Sequence, residues 1–276
     1  MRAVVNEPPR RIASPTPRPH AAASGFPAAL LLPSGPAGLG EILDAGFVLF
    51  RRSLPRCLPF ALLAVLLGQG PSVYALGSGQ ALALGETKDA LWWLLMVVAG
   101  LGTLGSWLMI MLRQRGTLVA AAGGRAADLL ADLRCALRLL PSSLLLLLLA
   151  ALAVGLGSLL LVLPGVYLLV AFWPALPIHV FEDRPVRDSL DAALQLVRRK
   201  WRHLALTLLV VAMSLLALFV IGSLCGVLLV ELTGSATLAA APWVSGVVSG
   251  VLGALFQPLL SAFTLAAYAD LQQRAA

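Results

Sequence analysis

Between Leu139 and Phe181 the chain runs for 43 residues without a formally charged side chain. As one helix rising about 1.5 Å per residue, that run would be about twice as long as the ~30 Å hydrocarbon layer of a bilayer is thick. A single crossing cannot use it up, so the run has to fold back on itself. Pro164-Gly165, near its middle, is the expected place. Two more apolar stretches carry the same message: Leu91–Leu112, and Leu204–Ala269 with Glu231 as its one charge. With 59% hydrophobic and 12% charged residues and a mean hydropathy of +0.91, the chain would aggregate in water. It reads as a polytopic membrane protein, and its 276 residues suit about six spans with short connections.

A net charge of +7 could point to nucleic acid, but the placement of the basic residues excludes that class. They sit in short clusters between the apolar runs: Arg51, Arg52 and Arg56; Arg113 to Arg138; Arg184 to Arg202; then Arg274. This is the pattern of cytoplasmic loops. The expected spans are Leu58–Leu76, Leu91–Leu112, Ser142–Leu163, Gly165–Phe181, Leu204–Val230 and Val244–Ala269. With both termini in the cytoplasm, 19 of the 20 Lys and Arg residues lie inside and only Lys88 lies outside. Trp92, Trp93, Trp201 and Trp243 fall at span ends, where indole rings anchor at the interface. The scarcity of lysine suits a GC-rich bacterial genome, so the expected location is a bacterial inner membrane.

Residues 1–37 hold eight of the eighteen prolines and lack apolar surface to bury, so they read as a disordered cytoplasmic tail before a 38–276 transmembrane domain. The short apolar piece Ala28–Leu32 is no signal-peptide core, and Arg10-Arg11 fails as a twin-arginine signal for the same reason. Cys57, Cys135 and Cys225 are odd in number and have no metal-ligand spacing, so no disulfide framework is expected.

Before the first, third and fifth spans lies a similar amphipathic stretch. Leu43-Asp44-Ala45 with Leu49 and Arg51-Arg52 matches Leu190-Asp191-Ala192 with Leu196 and Arg198-Arg199 at a constant offset of 147. Asp128 to Leu140 is a looser third copy. The apolar stripes are Leu43, Phe47 and Phe50; Leu129, Leu130, Leu133, Ala136, Leu137 and Leu140; and Leu190, Ala193, Leu194 and Val197. Acids lead and bases close each copy, complementing the helix dipole. Each copy is expected to lie flat in the cytoplasmic interface and then turn into the membrane, its arginines facing anionic head groups. The fold class is therefore all-α: six transmembrane helices as three hairpins, each preceded by a short amphipathic interfacial helix.

Small residues four apart mark close helix contacts: Gly102 and Ser106; Gly222 and Gly226; Gly246, Gly250 and Ala254. Gln257-Pro258 sets an amide beside a helix break, where it can satisfy opened backbone or meet a substrate. No ionisable residue falls at the centre of a span, which argues against ion-coupled carriers. His179 and His203 have no metal-ligand neighbour at helical spacing, and no nucleophile elbow or phosphate-cradling loop is present. Glu182-Asp183 reads as a solvated helix end. No catalytic, cofactor or metal residue is expected; the candidate structural or functional positions are Pro164, Gly165, Glu182, Asp191, Arg198, Arg199, Trp201, Gln257, Pro258 and Asp270.

Leu163-Pro164-Gly165-Val166-Tyr167-Leu168, Ala175-Leu176-Pro177, Phe181-Glu182-Asp183, the run from Leu190 to Trp201, the opening Gly40-Glu41-Ile42-Leu43-Asp44 and the closing Tyr268 to Arg274 together resemble a bacterial family. It is the YciC-like inner-membrane proteins, related to the membrane domain fused to some glycerophosphoryl diester phosphodiesterases. The resemblance covers about residues 38 to 275. It departs at Ala193 and Leu194, where relatives often carry a serine and an aromatic, and at Ala269, where they carry a second tyrosine. It implies no settled activity, since the phosphodiesterase chemistry belongs to a separate domain absent from these residues.

The expected role is thus non-catalytic: membrane organisation, lipid handling or scaffolding of a partner. The partners would be anionic membrane lipids, with a second copy or another protein as further candidates. A permease for a neutral or amphipathic substrate is the alternative, and a membrane enzyme subunit the third. A permease would need a polar cavity at mid-depth, for which Thr207, Ser214, Gln257 and Ser261 would have to converge.

Overall fold

The computed structural model describes residues 37–78, 89–198, 201–232 and 241–275. Regular structure among them is entirely helical. The elements are α1 (Leu39–Gly77), α2 (Ala90–Ala121), α3 (Leu129–Leu160), α4 (Val162–Phe172), α5 (Ala175–Glu182), α6 (Val186–Arg198), α7 (Trp201–Leu232) and α8 (Ala241–Ala275). Five stretches are long and apolar enough to cross a membrane: Leu39–Ala75, Ala90–Ala121, Leu129–Leu160, Val162–Glu182 and Gly250–Arg274. The described part of α7 contributes a shorter apolar segment, Trp201–Ser214. The fold is that of a multi-pass, all-helical membrane protein.

Helix α1 packs on α2 and α8, α3 on α4, and α7 on α8. Small residues set these contacts. A Cβ at Gly102 would sit 2.3 Å from Leu67 Cδ1, and one at Gly222 would sit 2.5 Å from Leu252 Cδ2. Gly250 and Gly253 flank Val65 of α1. In lipid, where burying leucine gains nothing over the acyl chains, such notches let dispersion contacts hold helices together. Gly226, Gly246 and Ser249 fall outside the residues described at side-chain level.

The helix ends follow local chemistry. Asp89 caps α2, its carboxylate accepting the Trp92 N–H at 2.9 Å. Helix α2 closes in a Schellman motif: Gly123 takes φ +81°, its N–H donates to Ala120 O, and Gly124 N–H donates to Val119 O.

The apolar core lies at the end where the basic clusters gather. The buried residues of α2 concentrate between Leu104 and Leu118, and those of α3 between Asp132 and Leu146. In α8 every residue from Ser261 to Leu271 is buried. The opposite halves of the helices expose large apolar side chains, from Leu62 to Val73, Leu91 to Leu101 and Leu216 to Leu228.

Three expectations need correction. The chain does not turn at Pro164-Gly165: the single non-helical residue is Leu161 (φ −163°, ψ 145°). Pro164 is the third residue of α4, within the first turn, where the missing N–H has no intrahelical acceptor to lose. The expected fourth helix is two, broken at Trp173-Pro174. The amphipathic stretches at Leu43 and Leu129 do not form separate interfacial helices, because α1 and α3 run unbroken from them into the apolar segments. Only the copy at Leu190 is a separate helix, α6.

The faces of these stretches differ too. In the amphipathic stretch of α1 the buried side chains are those of Ile42, Ala45 and Leu49, while Phe47 is half exposed. In α3, Asp132, Ala136 and Leu139 face inward, and Leu129, Leu130, Leu133 and Leu137 face out. The α6 stripe holds, with Ala193 and Val197 fully buried and Leu190 and Leu194 partly so.

Candidate functional site

The basic end carries the molecule's polar chemistry, assembled from residues distant in sequence. Asp270, near the end of α8, is 1% exposed. Its Oδ1 accepts the backbone N–H of Ala37 at 2.9 Å. Its Oδ2 accepts from His203 Nε2 of α7 at 3.0 Å and from Arg274 Nε at 2.7 Å. Arg274 also donates through Nη2 to the Ala37 carbonyl at 2.5 Å. One carboxylate therefore ties the residue ahead of α1, the first turn of α7 and the last turns of α8.

A second cluster joins α5 to α8. Tyr268 donates its hydroxyl to Glu182 Oε1, and Gln272 donates to the same oxygen at 2.9 Å. Arg184 pairs with Glu182 Oε2 at 2.5 Å. Beside it, Asp183 ends α5 in the left-handed region at φ 49°, which turns the chain toward α6. Glu182 is thus a tie between helices and not the solvated end that its neighbourhood in sequence implies.

His179, 3% exposed, is the next link. Its Nδ1 donates to the Arg184 carbonyl at 2.7 Å, and its Nε2 lies in hydrogen-bond contact with Ser142 Oγ of α3 at 2.8 Å. Further round, Arg113 of α2 pairs with Asp132 of α3 at 2.8 Å. Gln114, fully buried, donates to the Pro258 carbonyl at 2.7 Å and accepts from Ser261 Oγ at 2.8 Å.

Of the expected positions, the structure brings Glu182 and Asp270 into this girdle, and Pro258 joins it through Gln114. Gln257 is half-buried beside them. Asp191 and Arg198 are exposed on α6. Trp201 opens α7 and lies against Tyr167, ring centroids 5.9 Å apart. Pro164 and Gly165 lie at the far end, in the first turn of α4. Arg199 and Lys200 are outside the described residues. Of the four residues a polar cavity would need, Thr207 and Ser214 each donate to a carbonyl of their own helix, and Ser261 turns to Gln114.

Sequence reading missed Gln114, His179 and Ser142 as ties. Gln114 left a signal, being an amide between Arg113 and Arg115 at the edge of an apolar run; Ser142 and His179 left none. Among the described residues, no three His, Cys, Asp or Glu side chains gather to hold a metal ion.

Outside the girdle, Arg51, Arg52, Arg56, Arg125, Arg134, Arg138, Arg187, Arg198 and Arg202 are exposed. The class defined is an all-helical, multi-pass membrane protein with a polar, hydrogen-bonded end bearing surface arginines. No protein-family model matches the chain, and neither a curated protein nor a solved structure matches it.

Proposed function

We propose that this chain is a non-catalytic integral protein of a bacterial inner membrane that acts on membrane organisation, lipid handling or a partner complex. In this reading it crosses the bilayer six times, as the hairpins α1–α2, α3–α4/α5 and α7–α8, with both termini cytoplasmic. The carrying observation is the division of polar groups at the basic end. Asp132, Glu182 and Asp270 are each paired within the bundle, whereas nine arginines outside the girdle face outward at the same end against six exposed acids, Glu41, Asp44, Asp128, Asp183, Asp188 and Asp191. Arginine near an anionic leaflet is worth about 1 kcal/mol each, so the surplus favours phosphatidylglycerol-like head groups. The positive-inside distribution and the resemblance to the YciC-like family support the same location. Against a permease stand the hydroxyls of Thr207 and Ser214, each spent on a carbonyl of its own helix.

The test is lipid retention. Protein reconstituted in mixed phosphatidylethanolamine and phosphatidylglycerol is extracted gently, and its bound lipid is weighed by native mass spectrometry. The parent is expected to enrich the anionic lipid, and the R187Q/R198Q/R202Q variant to lose most of that enrichment. Equal enrichment in the two would overturn the lipid reading.

A further inference from the structure

The turn between α3 and α4 has a character that its counterparts lack. Leu159, Leu160, Leu161, Val162 and Leu163 are five consecutive large apolar residues exposed by 85, 79, 66, 72 and 79%. From Leu144 to Val166 the only polar side chain is Ser158, which sits against Gly165 of the facing helix. The connection from α1 to α2, by contrast, carries Ser78, Gln80, Glu86, Thr87, Lys88 and Asp89, and the one from α7 to α8 carries Thr233, Ser235 and Thr237.

We propose that the α3–α4 turn is an interaction surface for lipid acyl chains, seated in hydrocarbon and never emerging into water on the far side. The proposal rests on the membrane reading above and adds the depth and contacts of this one tip.

Two observations choose hydrocarbon as the occupant. The first is length. From Arg138 to Leu161 is roughly 35 Å of unbroken helix, enough to cross the ~30 Å hydrocarbon but short of the ~40–45 Å that includes both head-group zones. The second is closeness. A Cβ on Gly165 would lie 2.8 Å from Ser158 Cα, and one on Gly157 would lie 3.3 Å from Gly165 Cα. The two helices meet at their tips without an intervening loop that water could enter.

The experiment places a nitroxide label on single cysteines, L161C, S78C and L66C, in a full chain carrying C57A, C135A and C225A. Vesicles are phosphatidylethanolamine with phosphatidylglycerol, and relaxation by oxygen is compared with relaxation by a water-soluble nickel chelate. The S78C label should be open to nickel. The L66C label, at a residue 71% exposed in mid-α1, should be open to oxygen alone. The L161C label should behave like L66C, with nickel access about tenfold below that of S78C. Nickel access at L161C equal to S78C overturns the proposal while leaving the membrane reading intact. Exclusion of both relaxants overturns it in favour of a protein cover such as a second copy. Nickel access at L66C overturns both readings. Should the cysteine-free chain not fold, a photoreactive benzoylphenylalanine at position 161 of the chain with its native cysteines gives the second measurement. Crosslinks to acyl chains support the tip, and crosslinks to protein overturn it.

Discussion

Asp270→Asn is the sharpest probe of the girdle, because it keeps the shape and removes the charge. The side chain is 1% exposed, and its Oδ2 accepts from two donors, His203 Nε2 and Arg274 Nε. After substitution one of the two positions becomes an NH₂, which meets either those two donors or the Ala37 N–H. Breaking a fully buried ion pair costs about 3–5 kcal/mol. Here the Arg274 and His203 side chains keep 21% and 26% exposure, so water can take them back, and the loss should be smaller, about 2–3 kcal/mol. Asp191→Asn, at an exposed position of α6, should stay within about 0.5 kcal/mol and serves as the control. Unfolding in mixed micelles titrated with a denaturing detergent gives the difference directly. Hydrogen exchange adds a local readout: the asparagine oxygen stays with the two stronger donors, His203 and Arg274, so its NH₂ faces the Ala37 amide, which loses its acceptor and should exchange faster in D270N but not in D191N. If D270N and D191N unfold together and the Ala37 amide keeps its protection, the carboxylate does not hold the three helices, and the reasoning fails.

Gly165→Ala should destabilise by about 1–3 kcal/mol, because the new methyl would fall 2.8 Å from Ser158 Cα, a backbone atom that no rotamer can move, whereas Gly155→Ala meets nothing within 4 Å and should be neutral or stabilising; the same unfolding titration compares them. Asp183→Gly should stabilise the α5–α6 corner by about 1 kcal/mol by releasing a left-handed non-glycine residue, read as a higher unfolding midpoint. Gln114→Leu, which fits the volume but strands the Ser261 hydroxyl, should cost about 1–3 kcal/mol, and Gln114→Leu with Ser261→Ala should recover part of it.

How much of this was legible follows from what each signal depends on. Apolar run length is local, so the membrane class and the helical segments could be read directly, and the Gly102 and Gly222 notches lay on helix contacts as their spacing implies. The fold-back was placed three residues late, because Pro-Gly reads as a turn signal while proline is equally at home in a first helical turn. The flat interfacial helices failed for α1 and α3 because an amphipathic pattern records which face meets apolar surroundings and carries no information about a bend. In α3 the inward face was decided by Asp132, which turns toward Arg113 and sends Leu130, Leu133 and Leu137 outward. Glu182 and Asp270 stood out only through resemblance. That they are ties could not be read, since their partners lie 86 and 67 residues away at Tyr268 and His203.

The position of the core has a physical cause that links these pieces. Inside hydrocarbon, apolar side chains gain little by leaving lipid for protein, so the far halves of α1, α2 and α3 can remain exposed at no penalty. Specific association has to come from groups whose alternative is worse, and at the basic end those are buried carboxylates, an imidazole and an amide that would otherwise sit unpaired in a low dielectric. Asp270, Glu182, Asp132 and Gln114 each close such a bond, and every bond joins a different pair of elements. Helix α8 takes part in three of the four, through Asp270, Tyr268 with Gln272, and Pro258 with Ser261, which accounts for its unbroken buried stretch from Ser261 to Leu271. The bundle is accordingly fastened at one end about α8, while the α3–α4 tip, far from any of these bonds, is shaped only by glycine contacts and left to the lipid.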